Sequence, residues 1–251
     1  MRLRLWALGF GLWAAALGPL EARRSASALR CTFHHIHVND TAPGYLLAYY
    51  GKLFDRATTT VTSIGEEGGI EASGIFLLIT PARGAPPEKG SAGWHFGWGT
   101  VALDEPYDRH RMQEIEWTLP LESFAKGLHL HLESADPMAA AAWYRDVLGA
   151  RIETAAAHAA IAPIKEIHRR PVAIARFDGV ALAIYKAGGP LEASRGHRID
   201  HIAFRSDLRA ARGAGLAVLE RSGRLGPFET MIIEGPDRLA IELVGAPALK
   251  P

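Results

Sequence analysis

Residues 128–150 read LHLHLESADPMAAAAWYRDVLGA, a strand running into a helix. In LHLHLES the two-residue period puts His129, His131 and Glu133 on one face and leucines on the other. Asp136 is a good N-cap, and Pro137 suits the first helical position because its missing N–H would be unpaired there anyway. Trp143, Tyr144, Val147 and Leu148 then form a stripe at helical spacing, and Gly149 ends the helix. The stripe reads as core packing.

The same pattern occurs earlier. Residues 33–55, FHHIHVNDTAPGYLLAYYGKLFD, match at one offset of 94 residues: His35 with His129, His37 with His131, Tyr49 with Trp143, Tyr50 with Tyr144, Leu53 with Val147 and Phe54 with Leu148. So many coincidences in one register argue for a duplicated unit. Downstream of the second copy, PVAIARF and VALAIYKA flank Asp178-Gly179, a two-residue hairpin signal. RIDHIAFR reads as a strand, and LRAARGAGLAVLE as a short helix and strand. FETMIIE and LAIELVG form a closing hairpin about Gly235-Pro236-Asp237. The order from residue 128 is therefore β-α-β-β-β twice over. The N-terminal unit, 33–118, is shortened or degenerate: 21 residues separate His95 from Glu116, against 41 between His201 and Glu242. The C-terminal unit spans 128–246.

Composition bounds the class. The chain has 251 residues, 48% hydrophobic and 22% charged, with a net charge of +1. That is globular, with no nucleic-acid footprint and no strong attraction to membranes. A single cysteine, Cys31, excludes an intramolecular disulfide and a cysteine-rich zinc site. Arg2 and Arg4 precede the apolar run LWALGFGLWAAALG, and small residues follow. This reads as a secretory signal over 1–28, too short to span a bilayer, so export to the periplasm or outside the cell is expected, without stable membrane insertion.

The three local patterns together resemble the vicinal oxygen chelate superfamily, which includes glyoxalase I, extradiol dioxygenases, fosfomycin-resistance transferases and bleomycin-resistance proteins. HLHLESADPMAAAAWYRDVLG resembles the family's opening strand and helix, RIDHIAFRSDL its fifth strand, and EGPDRLAIELV its closing hairpin. The resemblance implies an α+β fold of paired βαβββ modules that form half-barrel sheets, in two tandem domains. It also implies a divalent metal held by His129, His201 and Glu242, with His131 as rival ligand or supporting partner. Two imidazoles and a carboxylate leave positions open for substrate, and iron, zinc, manganese and nickel all accept such a set.

Glyoxalase I uses a fourth, carboxylate ligand on a strand that here reads VALAIYKA, with Tyr185 but no Glu. This favours a three-ligand site. Extradiol enzymes place a tyrosine and a histidine near the metal. FETMIIE offers neither, which leaves Tyr185 as a substitute and Glu133 as a candidate general base. His35, His37 and His95, with Glu114 or Glu116, are the corresponding groups of the N-terminal unit. The expected activity is that of a lyase, isomerase or dioxygenase on a small oxygenated substrate, in a monomer or homodimer. The alternative is a metal-free binding protein of the bleomycin-resistance type.

Overall fold

A computed structural model describes residues 29–53, 59–64, 67–72, 75–97, 128–154 and 171–247. The expected leader, Glu114 and Glu116 lie outside the described residues.

Four strand-led units follow one another. The first comprises β1 (Thr32–Asp40), α1 (Pro43–Leu53), β2 (Thr59–Ile64), β3 (Glu67–Ala72) and β4 (Ile75–Pro81). β5 (Gly93–Gly97) is the described strand of the second. The third comprises β6 (Leu128–Ser134), α2 (Pro137–Trp143), β7 (Arg151–Thr154), β8 (Ala173–Phe177) and β9 (Val180–Lys186). The fourth comprises β10 (Ile199–Arg205), α3 (Leu208–Gly213), β11 (Val218–Leu225), β12 (Phe228–Glu234) and β13 (Ala240–Pro247). The β-α-β-β-β order read from the sequence after residue 128 is present in both C-terminal units.

The local signals act as their chemistry dictates. Asp136 caps α2 by accepting the Ala139 N–H at 3.1 Å. The helix then passes into a π-helical turn over Tyr144–Leu148, which Gly149 ends in the left-handed region at φ 84°. Tyr144 and Leu148 are buried in the core, with Trp143 and Val147 packed against it. Asp178 and Gly179 close the β8–β9 hairpin, in which Phe177 faces Val180.

The units combine across the chain rather than along it. One sheet has eight strands in the order β11-β12-β13-β10-β1-β4-β3-β2, and the other has five, β5-β6-β9-β8-β7. The first unit therefore joins the fourth, and β5 joins the third. Neither order closes into a barrel. At the centre of the larger sheet, β10 runs antiparallel to β1 and parallel to β13. Ile36, Ile202 and Ile241 lie side by side across these strands, all fully buried. Burying each contributes roughly 1.5–3 kcal/mol and holds this strand trio in register. From the same face, Phe204 meets Phe33 edge-on at 5.3 Å and Phe177 of the smaller sheet at 4.7 Å. Alternation therefore leaves the other face of the three central strands for polar groups.

Candidate metal centre

That other face carries a cluster of histidines. The register places His37 opposite His201, His35 opposite Ala203, and Ala203 opposite Glu242. Partners across a ladder share a face, so His35, His37, His201 and Glu242 converge. His35 Nε2 lies 3.3 Å from His201 Nε2. Glu242 Oε2 lies 3.3 Å from His35 Nε2 and 3.5 Å from His201 Nε2. His37 adjoins, its ring centroid 4.4 Å from that of His201. One donor atom from each of His35, His37 and His201 lies within 4.8 Å of the others, so this set could hold a metal ion. All four residues are buried.

The spacing fits a cation. Ligand atoms about 2.1 Å from a divalent transition metal are roughly 3.0 Å apart at octahedral angles and about 3.4 Å apart at tetrahedral ones. The three contacts among His35, His201 and Glu242 fall in that neighbourhood.

Protonation states also fit. Burial, reinforced by the neighbouring His201, His34 and His37, pushes His35 well below its usual range. Burial and His201 push His37 down to about 3, against an opposing pull from Asp200. Both rings are thus neutral at pH 7 and carry lone pairs, as metal ligation requires. For His37, Nε2 hydrogen-bonds Thr80 Oγ1, whose hydroxyl donates to Asn39 Oδ1 at 3.5 Å. The His37 Nε2–H is therefore the donor to Thr80, and the lone pair sits on Nδ1.

His201 differs. Burial disfavours its charge, but Asp200 and Glu242 outweigh burial and raise its pKa. Its Nδ1–H donates to Asp200 Oδ1 at 2.7 Å. Asp200 in turn accepts the Gly196 N–H at 2.7 Å and the Asn39 Nδ2–H at 3.2 Å, and pairs with Arg195 at 3.2 Å. Burial pushes the Asp200 carboxyl up, yet the His201 contact, the Gly196 N–H and Arg195 hold it below the usual carboxylate range. Two carboxylates thus face one imidazole whose Nε2 points at the cluster. This is an environment that favours positive charge at that point.

The residues expected from the sequence are divided between the sheets. His201 and Glu242 are brought together, but their imidazole partner is His35 of β1. His129 and His131 lie on β6 of the smaller sheet, where His131 faces His95 with ring centroids 4.0 Å apart. Tyr185 stacks on His131 at 5.0 Å, and Glu133 lies half-buried on β6. The reason is strand partnership: β10 pairs with β1, the other copy of the repeat. The 94-residue offset that matches His35 to His129 carried this signal. Asp200 and His34 lie within the quoted stretches RIDHIAFR and FHHIHVND, but strand alternation assigns them to the face opposite His201 and His35, so period alone gives them no part in the site. Among the described residues, three histidine donors that could hold a metal ion come together at His35, His37 and His201, on this face of the larger sheet.

No family model matches the chain, and no curated protein matches it. Solved structures do. Glyoxalase I from Zea mays superposes with a TM-score of 0.55 at 13% identity, over 86% of this chain and 92% of that one. A protein of Bacillus subtilis subsp. subtilis str. 168, provisionally described as a dioxygenase, superposes with a TM-score of 0.57 at 14% identity, over 88% of this chain and 87% of that one. At such identities the likeness is one of fold. The chain has the vicinal oxygen chelate fold, with its sheets open and its units paired first with fourth.

Proposed function

We propose that the protein is a divalent-metal-dependent enzyme of the lyase, isomerase or dioxygenase type, acting on a small oxygenated organic molecule. The observation that carries this reading is the convergence of His35 Nε2, His201 Nε2 and Glu242 Oε2 within 3.3–3.5 Å of one another, all on buried side chains. A buried carboxylate between two imidazoles has little structural purpose unless a cation or proton sits among them.

A bound cation would supply Lewis acidity to oxygens of the substrate. His35, His201 and Glu242 would hold it, with Asp200 keeping His201 turned so that Nε2 faces inward. His37 adjoins the set as a neutral imidazole with its lone pair on Nδ1, and it could serve as a further ligand. Tyr185 and Glu133 lie on the other sheet and have no part in this proposal. Export rests on the residue 1–28 pattern and a monomer or homodimer on the family resemblance; both remain proposals. Among the described residues no helix is long and apolar enough to cross a membrane.

Elemental analysis tests the reading. About one equivalent of metal is expected, lost in His35→Ala, His201→Ala and Glu242→Gln and kept in His129→Ala. Loss in His129→Ala with retention in His35→Ala would move the centre to the other sheet. No metal after reconstitution with zinc, iron, manganese or nickel would leave the alternative, a metal-free small-molecule binding protein.

A further inference from the structure

His34 is fully buried and next in sequence to a proposed ligand. An ordinary strand would send His34 and His35 to opposite faces. Here β1 carries a bulge: from Phe33 to His35 is two residues, while the opposing step from Phe204 to Ala203 is one. His34 is the extra residue. A bulge re-aims side chains, and this one brings His34 Nδ1 to 2.8 Å from His35 Nδ1. The His34 ring is clamped in place, stacked on Phe76 at 5.1 Å with Phe228 edge-on at 6.0 Å. Its own Nε2 is buried and has no hydrogen-bond partner among the described residues. A phenylalanine would fill this aromatic slot without a buried polar atom. The nitrogen that remains is the one facing His35, and an unsatisfied buried group calls for a functional reason.

We propose that His34 is a positioning residue that fixes the tautomer and orientation of His35, an inference that rests on the metal-centre reading above. When His35 Nε2 gives its lone pair to a cation, the ring proton must sit on Nδ1. That Nδ1–H then donates to His34 Nδ1, and the proton of His34 resides on its Nε2. His35 thereby has the second-nitrogen partner that metal-bound histidines require, supplied by another neutral imidazole. His201 has its equivalent in Asp200. The two histidine ligands are thus held by different chemistries: a carboxylate behind one, an apolar-lodged imidazole behind the other.

The test uses Zn(II) competition with a chromophoric chelator on the full chain, with His34→Phe and His34→Asn beside the wild type. His34→Phe keeps the aromatic stack and removes the acceptor, and is expected to weaken Zn(II) binding about 10–100-fold. His34→Asn places an amide oxygen near the lost Nδ1 and is expected to recover most of that affinity. Should His34→Phe fold and bind Zn(II) as the wild type does, His34 only packs and the inference falls while the metal centre stands. A wild type that binds no Zn(II) overturns both. Independently of any variant, long-range 1H–15N spectra of the Zn(II)-loaded wild type are expected to show His35 protonated at Nδ1, with that proton shifted downfield by its hydrogen bond. A His35 protonated at Nε2 would overturn the inference even if the variants prove unstable.

Discussion

Replacing Asp200 by Asn is the sharpest probe of how the centre is built. The change is isosteric and removes one charge. Asp200 accepts from His201 Nδ1 at 2.7 Å and from the Gly196 N–H at 2.7 Å, with Asn39 and Arg195 each at 3.2 Å. An amide has one acceptor oxygen where the carboxylate has two. If that oxygen serves the Gly196 N–H, its NH2 group faces His201 Nδ1, and the imidazole must turn its proton to Nε2, where a cation would bind. Loss of such a supporting partner lowers metal affinity about 10–100-fold, or roughly 1.4–2.7 kcal/mol. The metal-free protein also loses a hydrogen bond between charged groups, with a cost of about 1.5–3 kcal/mol. Two assays separate these effects: Zn(II) competition for the first, and urea unfolding without metal for the second. A folded Asp200→Asn protein with unchanged Zn(II) affinity would refute the assignment of Asp200 as the anchor of His201, whatever happened to stability.

Two further outcomes concern the fold itself. His34 has its pKa pushed from 6.5 to about 4, mainly by burial and secondarily by Arg205. The unfolded chain therefore takes up this proton before the folded one does, and stability falls as pH drops below 6.5 and on toward 4. At about 1.36 kcal/mol per pH unit the loss from His34 approaches roughly 3 kcal/mol, and His35 and His37 shift in the same direction. Urea midpoints of the metal-free protein that stay flat from pH 7 to 4 would contradict the buried, neutral state of these rings. In the core, Ile202→Ala removes the middle of the isoleucine row on the face opposite the ligands, with an expected cost of about 2–5 kcal/mol. A cost under about 1 kcal/mol in denaturant unfolding would show that the three central strands are not held by that row.

Much of this architecture is legible in the sequence because local chemistry dictates it. Asp136-Pro137 starts a helix, Gly149 stops one, and Asp178-Gly179 turns a hairpin; each acts within a few residues and each is found in the fold. The strand that carries His201 and the hairpin that carries Glu242 were legible for the same reason, since each has its own pattern. What local pattern could not decide was which copy of the repeated strand lies against β10. His35 and His129 occupy matched positions, so period and spacing rank them equally.

The choice between them is made at a distance, by side chains at the strand ends. Asn39 Nδ2 donates to the His197 carbonyl at 3.0 Å and to Asp200 Oδ2 at 3.2 Å, and Arg198 pairs with Asp40 at 2.5 Å in a buried setting. These contacts tie the end of β1 to the start of β10. At the same 94-residue offset the end of β6 carries Glu133 and Ser134. There the Ala135 N–H goes to Asp237 instead, and the Ser134 hydroxyl accepts the Asp136 N–H. With β6 in place of β1, Arg198 would lose its Asp40 carboxylate and keep only Glu88, and Asp200 would lose its amide donor, so two buried polar groups would be less well satisfied. On this argument the residues that bring the cluster together are Asn39 and Asp40, neither of which belongs to the His35–His201–Glu242 set. The His35–His201–Glu242 cluster follows from the strand pairing they stabilise, so Asp40→Asn should loosen that pairing and with it the approach of His35 to His201.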